Sequence, residues 1–89
     1  MEYYSPIQYK LLNALLERDK NRAELIVEIE KKRTTVYDNL VVLSRRKNVE
    51  KYSKNDGIQG RPFVYWRLTN LGREKIKNMR AIYEKEITY

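Results

Sequence analysis

The chain has 89 residues, with 19 lysines and arginines against 12 aspartates and glutamates, a net charge of +7 and a pI near 9.7. It has no cysteine and no histidine, which removes disulfides, thiolate metal sites, the commonest general base and the commonest imidazole ligand. One small domain, spanning 1–89, is therefore expected to meet a polyanion rather than catalyse a reaction, with no metal or cofactor.

Residues 1–4 form a short aromatic lead containing Tyr3 and Tyr4, too apolar for an idle tail. Ser5, Pro6 and Gln8 then read as a helix start: a hydroxyl cap, a proline in the first turn, and a reciprocal glutamine three residues after the cap. Ile7, Leu11, Leu12, Leu15 and Leu16 give this first helix (5–18) its core face. Asp19, Lys20 and Asn21 read as a polar break. Asn21 with Glu24 repeats the capping pattern for a short second helix (22–30), whose buried side is Leu25, Ile26 and Ile29.

Lys31 and Lys32 lead tightly into a third helix (33–47), on which Val36, Leu40 and Leu43 recur at i, i+4, i+7. The far side of that wheel carries Thr34, Thr35, Asp38, Val42, Arg45 and Arg46. Hydroxyls at its start and guanidiniums at its end suit a helix that reads a DNA groove, whereas a purely solvated helix more often interleaves Glu and Lys. Two helices joined by a few residues, the second with a polar outer face, form a helix-turn-helix.

The period then changes from 3.6 to 2. Val49 to Ser53 and Phe63 to Leu68 read as the strands of a hairpin (49–68), with Val64, Trp66 and Leu68 on one face and Phe63, Tyr65 and Arg67 on the other. The turn between them is basic and carries Lys54, Gly57, Gly60, Arg61 and Pro62. Trp66 in the inward register is expected in the core, and Tyr37 on a helix flank is expected to pack. Thr69 caps a last helix (69–87) whose broad apolar side holds Leu71, Ile76, Met79, Ile82, Tyr83 and Ile87. The expected fold class is α+β, mostly helical: three helices, a two-stranded wing and a closing helix, the winged helix-turn-helix plan.

The segments Arg22–Tyr37, Val49–Lys51, Gly60–Pro62 and Tyr65–Arg73 also resemble small winged-helix transcriptional regulators of the MarR, PadR and ArsR type. The size and the Lys, Tyr and Ile richness are similar to winged-helix proteins of archaea and their viruses and plasmids. The resemblance implies a third helix in the major groove. There Thr34 and Thr35 would bond phosphates or base edges, Val42 would touch a thymine methyl, and Arg33, Arg45 and Arg46 would bind phosphates or guanine. It also implies Arg61 in the minor groove, with Lys54 on a neighbouring phosphate.

Three positions depart from the pattern. Lys31 replaces an apolar turn residue. Asp38 stands where a basic or polar reader is common; it either accepts from cytosine or holds Arg45 or Lys32, and repulsion by nearby phosphates favours the second. Lys47 and Asn48 replace a glycine and an apolar residue, and Asn48 is expected to supply the left-handed cap.

On this reading the protein is a sequence-specific regulator binding double-stranded DNA. The other two classes are a DNA-coating or partition protein with little sequence preference and a winged-helix module that docks onto protein. Met79, Ile82, Tyr83 and Ile87 extend past the reach of a monomer's core, so a homodimer is expected through them, with Tyr3 and Tyr4 across the same seam. No apolar run approaches membrane-spanning length and no signal peptide precedes the first helix, so a cytoplasmic location is expected, with no membrane partner.

Overall fold

The computed structural model describes residues 4–55 and 63–87, with side chains to residue 82. In chain order it contains α1 (Pro6–Glu17), β1 (Lys20–Asn21), α2 (Arg22–Ile29), α3 (Arg33–Arg45), β2 (Val49–Lys54), β3 (Phe63–Leu68) and α4 (Asn70–Ile87). This is a winged helix-turn-helix, with the three-stranded antiparallel sheet ordered β1-β3-β2.

The helix starts follow from their caps. Ser5 Oγ accepts from the Gln8 N–H, and Gln8 Oε1 accepts from the Ser5 N–H, closing α1's first turn. Asn21 and Glu24 repeat the exchange at α2. α2 ends at Glu30, which takes a left-handed conformation (φ 59°, ψ 39°) and donates its N–H to the Ile26 carbonyl. α3 has no side-chain cap at Lys32 and is held instead by its apolar stripe.

The core lies where α1, α2 and α3 meet the sheet. Leu11, Leu12, Leu25, Val36, Leu40, Leu43 and Ile76 are fully buried, and Trp66 and Leu68 close the sheet side. Each such side chain stabilises the fold by about 1.5–3 kcal/mol relative to exposure. Trp66 sits on the central strand, opposite Lys20 on one edge and Lys51 on the other.

Four expectations need correction. Asp19–Asn21 is more than a polar break: Lys20 and Asn21 pair with Trp66 and Tyr65 as an edge strand. The residue before a helix cap is extended anyway, and β3 offers an unpaired edge to it. Lys20 is consequently buried, 3% exposed, with its ammonium 3.5 Å from Glu17 and 2.5 Å from Glu28.

The second concerns the end of α3. The left-handed residue is Lys47 (φ 62°), not Asn48. The Lys47 N–H reaches the Ser44 carbonyl and the Asn48 N–H reaches that of Leu43, the paired bonds of a Schellman stop. Asn48 is the residue after the turn. It is fully buried, Tyr4 Oη donates to its Oδ1 (2.9 Å), and its Nδ2 has no partner among the described residues.

The third is Leu71, which begins the apolar side read for the last helix and is expected to cover the core, but is 41% exposed. Gly72, Ile76 and Met79 form the inward stripe of α4, and Leu71 lies one residue, or about 100°, off it. The fourth is Val64. It shares a sheet face with Trp66 but is 45% exposed, because that end of the wing projects beyond the helices.

A candidate nucleic-acid interface

The stripe that buries Val36, Leu40 and Leu43 turns the opposite side of α3 outward. Lys32, Arg33, Thr34, Asp38 and Arg45 are exposed there, and Thr35 and Val42 are half-buried at the margins. Among the described residues none of Lys32, Arg33 or Arg45 makes an ion pair. Asp38 makes none either, so the expectation that it holds Arg45 or Lys32 does not stand. Asp38 follows Lys32 by six positions and precedes Arg45 by seven, so about 9–10 Å of helical rise separates it from either cation.

Arg46 is placed differently from Arg45. It follows Leu43 by three residues and so faces the flank of the core stripe. Its guanidinium lies 4.9 Å from the centre of the Tyr4 ring. Tyr4 is thereby engaged within its own chain twice, through its ring and through its hydroxyl on Asn48. The same flank carries Asn39, whose Nδ2 donates to the Thr35 carbonyl and whose Oδ1 accepts from Gln8. These bonds anchor the side of α3 that faces α1 and leave its outer side unencumbered.

The wing is stiffened by a ladder on one face. Glu50 pairs with Arg67 (2.8 Å), Arg67 lies over Tyr52 (4.9 Å), Tyr52 stacks on Tyr65 (5.9 Å), and Lys54 lies over Tyr65 (5.6 Å). Tyr52 Oη donates to Asp19 (2.7 Å), which ties the wing to the α1–β1 corner. That bond to Asp19, with desolvation second, pushes the phenol pKa up. Lys54 thus stands at the outer end of an ordered ladder. Arg61 and the rest of residues 56–62 lie outside the described residues, as does Tyr3; Tyr83 and Ile87 belong to α4, but their side chains lie outside the description.

Between α2, α3 and the wing is an open cleft of about 570 Å³. Arg22 from the first turn of α2, Arg33 from the first turn of α3 and Lys51 from β2 bring positive charge to it. Tyr37, Phe63 and Trp66 supply its apolar walls, and no carboxylate among the described residues lines it. Tyr37 is 42% exposed and Phe63 52%, so Tyr37 borders this cleft instead of packing inward.

Sequence reasoning missed Arg22, Lys51 and Phe63. One signal was available for Lys51: it lies two residues after Val49, hence on the inner sheet face, at a height the helices no longer cover. Nothing in the sequence placed α2's first turn across from it. Among the described residues no helix is long and apolar enough to cross a membrane.

No protein-family model matches the sequence, and no curated protein matches it. Solved structures do resemble it. The C30AH42A mutant of Lactococcus lactis ZitR superposes with a TM-score of 0.87 over 98% of this chain at 17% identity; this chain spans 57% of that protein's length. A PadR family transcription regulator from Clostridium difficile R20291 gives a TM-score of 0.76 at 21% identity, over 93% of this chain and 94% of the other. Wild-type ZitR in complex with DNA gives 0.77 at 17% identity, over 98% of this chain and 57% of the other. This chain has the fold of these proteins.

Proposed function

We propose that this chain is a sequence-specific double-stranded DNA-binding protein, a transcriptional regulator acting inside the cell as a homodimer. The observation that carries the proposal is the arrangement of α3. Its apolar stripe is consumed by the core, while Arg33, Thr34, Asp38 and Arg45 face solvent beside a basic cleft leading to the wing, lined by no carboxylate among the described residues. The ZitR structure in complex with DNA has this fold, which supports the reading.

In this arrangement α3 enters the major groove, with Thr34, Thr35 and Val42 toward base edges and Arg33 and Arg45 toward phosphate or guanine. The strand that runs on to the minor groove crosses the cleft, where Arg22 and Lys51 meet its phosphates and Phe63 meets deoxyribose. Lys54 contacts the next phosphate, and Arg61 is assigned to the minor groove from the sequence resemblance alone. Arg46 contributes through its charge and through its hold on Tyr4.

The dimer is placed on α4. Ile82 is 59% exposed, Met79 is only partly buried, and Tyr83 and Ile87 continue the apolar series in sequence. The test is selection of bound duplexes from a random library, with affinity then measured against salt. A defined, two-fold-related motif is expected. If a dimer neutralises about 6–10 phosphates, affinity falls by ~10³–10⁵ between 50 and 200 mM salt. Binding without an enriched motif would mark a DNA-coating protein, and no binding at low salt would mark a protein-docking module.

A further inference from the structure

The recognition helix and the closing helix are joined backbone to backbone. The Thr69 N–H donates to the Asn48 carbonyl (3.0 Å), and Thr69 Oγ1 donates to the Lys47 carbonyl (2.6 Å). The same hydroxyl accepts from the Gly72 N–H (3.0 Å), so one side chain both caps α4 and fastens it to the end of α3. At Gly72 the two backbones touch: a Cβ there would lie 1.9 Å from the Asn48 carbonyl oxygen. Asn48 itself is fixed from the other side, by its N–H on Leu43 and by the Tyr4 hydroxyl on its Oδ1. An aliphatic side chain would fill that space without leaving a buried Nδ2 unpaired. Asn48 instead gathers the N-terminal segment, α3 and α4 at one point.

We infer that this junction, Lys47 and Asn48 against Thr69 and Gly72, determines the spacing between the two DNA half-sites. The inference rests on the dimer proposed above, in which α4 pairs with its copy and α3 reads DNA. The junction is then the rigid corner between what is held and what is read. α4 has 18 residues, so it is about 27 Å long. A rotation of about 10° at its first turn displaces the far end by about 5 Å, more than the 3.4 Å rise of one base pair. A loosened corner therefore shifts one recognition helix relative to the other by at least one base-pair step. The bases read within each half-site depend on α3's outer face, which the junction does not touch.

The experiment is selection of bound duplexes from a library of paired half-sites with variable spacers, using the full chain. Thr69→Ala removes the hydroxyl that fastens α4 to Lys47, and Gly72→Ala forces the two backbones apart. Thr69→Ser restores the hydroxyl. Thermal unfolding identifies which variants are folded, and Thr69→Ala keeps the test open if Gly72→Ala does not fold.

Wild type and Thr69→Ser are expected to select one spacing. Folded Thr69→Ala is expected to accept spacings at least one base pair away, with the half-site sequence unchanged. A single wild-type spacing in folded Thr69→Ala overturns the inference, and so does a changed half-site sequence at constant spacing. If wild type itself selects isolated half-sites, the dimer reading and this inference fail while DNA recognition stands. If it selects no motif, the reading of the whole interface fails.

Discussion

Gly72→Ala is a substitution whose expected sign is opposite to that of the same change elsewhere in a helix. Gly72 lies in the first turn of α4, so its backbone is helical and alanine would ordinarily gain about 0.8–1 kcal/mol in propensity. Here the added Cβ meets the Asn48 carbonyl oxygen at 1.9 Å and the carbonyl carbon at 2.8 Å. Both are backbone atoms in a bond-locked turn, so neither can rotate away as a flexible side chain would. Relief requires α4 to lift, which stretches the Thr69 bonds to Lys47 and Asn48 and disturbs Ile76 and Met79 on the core. Overpacking costs about 1–3 kcal/mol, and weakening one or two of the junction hydrogen bonds adds about 1 kcal/mol. The expected net loss, after the propensity gain, is about 1–3 kcal/mol. For a domain of this size that corresponds to a fall in Tm of roughly 4–8 °C per kcal/mol. Circular dichroism melts of the two proteins at equal concentration measure it. A Gly72→Ala protein as stable as wild type, or more so, would refute the close approach of the two backbones.

Arg22→Ala and Lys51→Ala are each expected to reduce the salt slope of DNA binding by about 0.9 per protomer without changing the selected motif, whereas Thr35→Ala is expected to change the motif. Ile82→Lys places a charge on a side chain already 59% exposed, so it is expected to leave the fold intact and convert a dimer to a monomer by sedimentation. Glu24 carries a depressed pKa, first because Arg18 donates to it and then because the Asn21 N–H does. The unfolded chain binds that proton more readily, so this stabilisation is complete above about pH 4.5 and is lost as the pH falls through the folded value. Wild type is accordingly expected to lose more Tm between pH 6 and pH 3 than Glu24→Gln, by parallel melts.

The fold was legible in the chain because its signals are local. The Ser5–Gln8 and Asn21–Glu24 exchanges, the Val36–Leu40–Leu43 stripe and the change to a period of two each need only a few consecutive residues. The errors arose where a residue's role depends on something distant. Lys20 becomes a strand because β3 returns beside it more than forty positions later, and Leu71 turns outward because Gly72 must face Asn48. Tyr4 was legible as a side chain that packs, but not the groups within the chain that it meets. The structure supplies partners at home, Arg46 and Asn48, at the far end of α3. The outer face of α3 was legible from its helical period, but the cleft was not, since Arg22, Arg33 and Lys51 converge only through tertiary packing.

That convergence bears on how sequence reading and affinity divide on this surface. α3 carries Asp38, exposed and without an ion-pair partner among the described residues, in the middle of its outer face. A carboxylate there opposes binding wherever phosphate approaches it and favours binding only where a cytosine amino group meets it. A protein reliant on α3 alone for affinity would lose by carrying it. On the proposed DNA-binding reading the cleft, with three cations and no carboxylate among the described residues, would supply attraction that is indifferent to sequence. Were affinity secured beside the helix in this way, a discriminating acidic group on the helix would become tolerable. Asp38→Asn is then expected to tighten binding to unrelated duplexes more than to the selected motif. Titrations of both proteins on both duplexes measure the ratio. If the substitution tightens both equally, Asp38 acts only as a repulsive charge and takes no part in reading the groove.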